Sequence, residues 1–282
     1  MTHAPLCLEE AWHDHVALRI DVRGCLEARQ TPFGRLAVYD SHALGKTLVV
    51  GESIALTERD GQGYAELLTH PCILSHARPH EVLILGGGDG SVAREVLRHD
   101  SIQNVTIVEI DSDIPELCRT HFPTYAQAFA DPRCDIVIDD AFRYLAHCDA
   151  NRWDIIIVDS DRLAVNDLDA FDQIHHVQLG AGLQKALRPD GLAVIPLGWP
   201  LKDAEHYLAC LREISGVFAY VDRYQMNLPT MVPGGWVVSL AGNAAITRLH
   251  ELPADIAEQC QHYSTAVHDG LFSLPPWLHK YH

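Results

Sequence analysis

The stretch EVLILGGGDGSVAREVLRH, residues 81–99, constrains this chain more than any other part of it. A continuous apolar run, Val82 to Leu85, enters a cluster of glycines and leaves it in helical spacing, Ser91 to His99. A strand that is apolar on both faces needs cover on both sides. Glycines at its carboxyl end let the backbone approach a ligand closely before a helix begins. The stretch therefore predicts a parallel α/β sheet with a ligand berth at the Gly86–Gly90 turn.

The same alternation continues along the chain. Strands are predicted at Val105 to Glu109, Asp135 to Ile138, Ile155 to Val158 and Leu192 to Ile195. Helical segments fall around Phe142, at Gln173 to Leu187 and at Ala204 to Ile214, with a further helix at Gly63 to His76 ahead of the glycines. Tyr220 to Gln225 and Trp236 to Leu240 read as antiparallel additions at the sheet edge. Residues 16–57 follow a different rule, with short β-rich pieces such as Leu36 to Tyr39 and Thr47 to Val50 broken by Pro32, Gly34, Gly45 and Gly51. The expectation is an α/β protein. A small antiparallel β domain (residues 1–60) precedes a Rossmann-like domain with a mostly parallel sheet (residues 61–282).

Charge narrows the partners. The 38 acidic residues outnumber the 21 basic ones, for a formal charge of −17. Such a field repels phosphate backbones and anionic membrane surfaces and attracts cations, which argues against nucleic acid and for a small amine. Eight scattered cysteines without a C-x-x-C pair read as reduced thiols. The opening residues carry no basic region followed by an apolar stretch, and no run of ~18 apolar residues occurs, so the expectation is a cytoplasmic protein off the membrane. Histidines such as His13 with His15, His175 with His176, and His279 with His282 invite a metal. Adjacent histidines on a strand or terminus do not supply a ligand set by themselves, and no metal is expected.

The berth has a definite chemistry. G88-D89-G90-S91-V92-A93 satisfies a loose dinucleotide pattern, but Asp89 would set a carboxylate beside a pyrophosphate, and no basic residue lies between Glu81 and Ser91. Glu109, ending the next strand, can accept from both hydroxyls of a ribose. Asp140, after the following strand, can accept from an adenine amino group while Ala141 offers a backbone donor. Gly86, Gly88, Asp89, Gly90, Glu109, Asp140 and Ala141 thus describe a nucleoside slot without a phosphate site, as suits an S-adenosyl ligand. Asp159 ends the strand WDIIIVDS on the same crevice, where a carboxylate could orient an attacking amine and take its proton, since an ammonium of pKa near ~10 has no lone pair to offer. The alternative for Glu109, Asp140 and Asp159 is that each caps the helix it precedes.

With these residues in view, the chain resembles the spermidine synthases, the polyamine aminopropyltransferases, from about residue 30 to 278. The likeness is carried by LTERD with Tyr64 and Glu66, by the glycine stretch, and by VEID, FADPRCDIVIDDAF, WDIIIVDS, LPTMVPGGW and HYSTAVHDGLFSLP. The resemblance implies transfer of an aminopropyl group from decarboxylated S-adenosylmethionine, a co-substrate and not a resident cofactor, to an amine, with release of methylthioadenosine and no metal. It implies a homodimer or homotetramer. By position, Asp89 would hold the amino end of the aminopropyl group, Glu109 the ribose, and Asp140 with Ala141 the adenine. Asp159 would accept the proton, Tyr64 would line the amine site with Asp161 as a second acid, and Trp236 would stand in its wall.

Departures from the family pattern gather on the acceptor side. Gly51 and Ala55 stand where the family has aspartate and glutamine, and Ala65 replaces a histidine. DSDR shortens D-S-x-D-P and brings in Arg162, Met231 replaces a tyrosine, Pro196 a glutamine, and Gly34 an early glutamine. Loss of hydrogen-bonding groups disfavours a diamine, whose ammonium must be compensated when desolvated. Two other readings follow: methyl transfer from S-adenosylmethionine to an amine on the same scaffold, and a non-catalytic nucleoside-binding homologue.

Overall fold

In β6 (Glu81–Gly86) the four residues Val82 to Leu85 are fully buried, and they divide strictly by parity. Val82 and Ile84 enter one core, with Val92, Ala93 and Val96 of α2 (Ser91–Leu97) and Ala65 and Leu68 of α1 (Gly61–Ile73). Leu83 and Leu85 enter a second core with Leu145 of α5 (Ala141–His147), Leu183 of α6 (Ile174–Ala186), and Tyr207 and Ile214 of α7 (Ala204–Val217). The strand β9 (Trp153–Asp159) divides likewise, Ile155 and Ile157 to the first core and Ile156 and Val158 to the second. Period-two alternation between two apolar layers is what a doubly covered strand requires. The computed structural model describes residues 6–13, 16–160, 174–230, 235–247 and 251–280.

The large sheet has seven strands in the order β11-β12-β10-β9-β6-β7-β8. Its other members are β7 (Asn104–Glu109), β8 (Cys134–Ile138), β10 (Leu187–Gly198), β11 (Tyr220–Met226) and β12 (Trp236–Gly242). Strands β8, β7, β6, β9 and β10 run parallel, while β12 is antiparallel to both β10 and β11. The chain leaves β6 toward β7 and β8, then returns to lay β9 on the other flank of β6. That reversal opens a crevice at the carboxyl ends of β6 and β9, where open α/β sheets bind ligands. Gly86 and Asp159 are register partners at its mouth.

The first sheet is antiparallel, β1 (Cys7–His13), β2 (Val16–Thr31), β3 (Gly34–Ser41), β4 (Gly45–Val50) and β5 (Ser53–Thr57) in sequence order. Leu36, Val38, Leu48 and Leu56 pack on Leu117 and Cys118 of α3 (Asp113–His121) and on Phe122, Tyr125 and Ala126 at α4 (Pro123–Ala126). Arg29 spans the same junction, 2.6 Å from Asp113 and 3.0 Å from Glu116. Strand β1, the helices α3 and α4, and the 3-10 turn at Gln127–Ala130 are additions to the sequence reading.

The carboxyl-terminal segment is bound to α1 chiefly through Glu66, with Gln62 donating to the Gln259 carbonyl at 3.0 Å. Glu66, wholly buried, accepts from the backbone N–H groups of Gln261, His262 and Tyr263 at 2.8–3.1 Å and from the Gln62 amide. Two short helices follow in that region, α8 (Ala254–Ala257) and α9 (Thr265–Leu271). Among the described residues no helix is long and apolar enough to cross a membrane.

Candidate active site

The glycine turn is shaped by what approaches it. Gly86 has φ +86°, and a Cβ there would lie 2.2 Å from the Asp159 carbonyl oxygen, so only glycine can stand at this register position. The Gly87 N–H donates to that carbonyl at 3.1 Å, stitching the turn to the end of β9. Gly88 faces the other flank: a Cβ would lie 2.6 Å from Glu109 Cγ, and its N–H instead donates to Glu109 Oε2 at 3.1 Å. The second oxygen of Glu109 accepts from the Asp111 N–H at 3.0 Å. The buried Glu109 carboxylate is thereby held in one rotamer at the edge of the crevice.

Burial pushes the Glu109 carboxyl above the ordinary carboxylate range, against the lowering by the N–H groups of Asp111, Gly88 and Ile110. Half-buried Asp89 accepts from the Ser91 N–H at 2.6 Å, and desolvation pushes its carboxyl up as well. Behind the loop the buried Cys118 thiol reports the same field. Burial first, then the charges of Asp89 and Glu109, drive it well above its usual value. Burial is the largest cause in all three groups.

Asp140 does what an acid before a helix is expected to do. Its Oδ1 caps α5 by accepting from the Arg143 N–H at 2.9 Å, which bears out the capping alternative for one of its oxygens. Ala141 follows it, buried, in the first turn. Neither Glu109 nor Asp159 caps a described helix. Beside these acids the structure leaves two apolar side chains open to solvent, Ile110 at 39% and Ile138 at 49% exposure, one after Glu109 and one ending β8. Sequence reading missed both.

On the other flank, Tyr64 of α1 donates its phenol proton to Asp159 Oδ1 at 2.9 Å. Trp236 is half-buried and opens β12, whose start pairs with Gly198 at the carboxyl end of β10, along the same rim. Asp60 ties the helix start to this rim. Its Oδ2 accepts from the Thr230 N–H at 2.8 Å and the Thr230 hydroxyl at 2.6 Å, while Oδ1 accepts from the Thr57 hydroxyl at 2.5 Å. Asp161, Arg162 and Met231 lie outside the described residues, as do His15 and His282. Of the departures, Ala65 and Pro196 are buried, and Gly51 has φ +67° in the β4–β5 turn, a position suited to glycine.

The geometry defines a class: an α/β fold whose glycine turn and strand-end acids gather at the switch point of a mostly parallel sheet. The spermine/spermidine synthase domain matches residues 61–250, and the chain belongs to the spermine/spermidine synthase family. A polyamine aminopropyltransferase of Klebsiella pneumoniae is 30% identical over 279 residues, 96% of this chain and 95% of that protein. One from Bacillus mycoides is 28% identical over 94% of each. Among solved structures, a spermidine synthase in complex with the transition-state analogue AdoDATO superposes with a TM-score of 0.87 at 27% identity, covering 98% of this chain and 96% of that one. The Thermotoga maritima spermidine synthase gives 0.87 at 26% identity, covering 99% and 94%.

Proposed function

We propose that the protein is an aminopropyltransferase that moves an aminopropyl group from decarboxylated S-adenosylmethionine to a small amine and releases methylthioadenosine. The observation that carries this reading is the Tyr64–Asp159 hydrogen bond, set beside the glycine turn at the switch point of the sheet. In it, residues 61–282 are the catalytic domain and residues 1–60 an accessory β domain.

Each residue has a role set by its place. Glu109 accepts from the ribose hydroxyls, and Asp140 with the Ala141 N–H reads the adenine edge. Asp89 pairs with the terminal ammonium of the aminopropyl group; a donor that kept its carboxylate would set like charge against it, which selects the decarboxylated form. Asp159, oriented by Tyr64, takes a proton from the incoming ammonium, with Asp161 and Trp236 on the acceptor side. The freed nitrogen lone pair then attacks the propyl carbon bound to sulfur. The C–S bond breaks, its electron pair stays on sulfur, and the sulfonium becomes the neutral thioether of methylthioadenosine. Since a sulfonium is already a good leaving group, alignment and a base account for the chemistry.

The acceptor follows from the losses around it. The sequence departures Ala55 and Ala65 favour an amine with less polar character than putrescine, although Ala55 is exposed on β5 and Ala65 is buried in the first core. Exposed Val16 and Leu26 on β2, with Leu6 before β1 and Phe33 in the β2–β3 turn, support a homodimer or homotetramer, and free cysteines throughout the chain support a cytoplasmic setting.

Incubation with each donor and a panel of mono- and diamines, followed by chromatography of the nucleosides, tests the reading. Methylthioadenosine from the decarboxylated donor is expected. S-adenosylhomocysteine from S-adenosylmethionine would instead establish methyl transfer, and ligand binding without either product a non-catalytic role.

A further inference from the structure

Tyr125 belongs to none of the roles above, yet it touches both the glycine turn and the start of α1. Its ring is buried in the junction between the first sheet and α3. Its carbonyl oxygen lies 2.9 Å from where a Cβ on Gly90 would stand, so the last glycine of the donor turn packs against it. The guanidinium of Arg94, on the helix that the turn begins, sits 5.5 Å from its ring centroid. At its far end the phenol oxygen reaches the first turn of α1, 3.2 Å from where a Cβ on Gly61 would stand.

This last contact answers a need of α1. A helix start leaves N–H groups without intrahelical partners, and the residue before α1, Asp60, makes no side-chain cap because its carboxylate holds Thr57 and Thr230. The Tyr125 phenol oxygen stands against this first turn, at Gly61. The phenol's acidity records these neighbours: burial, with the charges of Asp89 and Asp60, pushes it up to about 12 against the lowering by Arg94 and the Gln62 N–H. It stays protonated at neutral pH. Two residues beyond Gln62 stands Tyr64, on Asp159.

We propose that Tyr125 is a positioning residue that fixes the start of α1, and with it the Tyr64–Asp159 pair, in register with the glycine turn that holds the donor. The proposal rests on the aminopropyltransferase reading. Misplacement of reacting groups by a fraction of an ångström lowers the rate of a two-substrate transfer without lowering affinity for either substrate to the same degree.

The test compares wild type, Tyr125→Phe, Tyr64→Phe and the double variant, using decarboxylated S-adenosylmethionine and the amine of the panel that wild type turns over fastest. Tyr125→Phe removes the phenol oxygen and keeps the ring. It is expected to lower kcat by about five- to tenfold while the methylthioadenosine Kd stays within about twofold. If Tyr125 acts through α1, the double variant falls no further than Tyr64→Phe alone. An unchanged kcat with a lowered Tm would make the residue merely structural and overturn the proposal, as would strictly additive losses. Absence of turnover by wild type would refute the parent reading. A crystal structure of Tyr125→Phe with methylthioadenosine then decides: displacement of α1 relative to Gly90 supports the proposal, and an unmoved α1 overturns it.

Discussion

Glu109 and Gly88 stand so close that the glycine's missing side chain is the space the glutamate occupies: a Cβ on Gly88 would lie 2.7 Å from Glu109 Oε2. The contact joins the donor turn to the strand that follows it, and it makes the nucleoside slot depend on a single hydrogen atom.

Gly88→Ala therefore should displace the Glu109 carboxylate while leaving the fold intact, since Gly88, unlike Gly86, Gly87 and Gly90, does not require a positive φ. Methylthioadenosine affinity is expected to drop by about a hundredfold or more, roughly the 3 kcal/mol of a charge-assisted hydrogen bond lost with its geometry. Titration calorimetry measures it, with circular dichroism to show that the sheet survives.

Burial raises the carboxyls of Asp89 and Glu109, so each binds a proton more tightly in the folded protein than in the unfolded chain. The sign follows. Above their raised values both are ionised and burden the fold; as pH falls toward ordinary carboxylate values of ~4, that burden is relieved. A cationic donor favours the ionised form of Asp89 and must expel any proton it holds. Calorimetry at mildly acidic pH, in buffers of different ionisation enthalpy, should show proton release with decarboxylated S-adenosylmethionine and less with neutral methylthioadenosine. The release should fade as pH rises. Asp89→Asn should abolish the difference and lower the preference for the decarboxylated donor over S-adenosylmethionine by about tenfold.

Glu66 supplies the acceptor for three consecutive backbone N–H groups of the tail. Glu66→Ala removes their shared buried acceptor, leaving the Tyr263 N–H stranded in a buried setting, and should cost ~3 kcal/mol of stability. Hydrogen exchange should rise first at residues 261–263, ahead of the large sheet; uniform loss of protection would contradict a local tie.

Much of this was legible in advance, for reasons particular residues make plain. Val82 to Leu85 and Ile155 to Val158 are apolar on both faces, as a strand covered on both sides requires. Glu109 and Asp159 were legible as acids at the carboxyl rim of the sheet because each ends such a strand, which fixes where it must lie. Asp140 was legible in both its readings, and the structure shows the cap. The segment at residues 113–130 was not legible as helix, since Pro115 and Pro123 interrupt it and its apolar residues face a partner sheet instead of the main core. Nor could sequence pair Tyr64 with Asp159, or Glu66 with amides of the tail. Those contacts join positions 95 and about 195 residues apart, and only the crossover geometry brings them together.

The account turns on Asp159 as the group that frees the attacking nitrogen. Rapid-quench measurement of methylthioadenosine formed in one turnover, with wild type and Asp159→Asn saturated with decarboxylated S-adenosylmethionine and the same amine, isolates that step. The variant is expected to bind the donor nearly as well and to form product about 10²- to 10⁴-fold more slowly, with the deficit narrowing as pH rises and the amine loses its own proton. Equal single-turnover rates in the two proteins would contradict it.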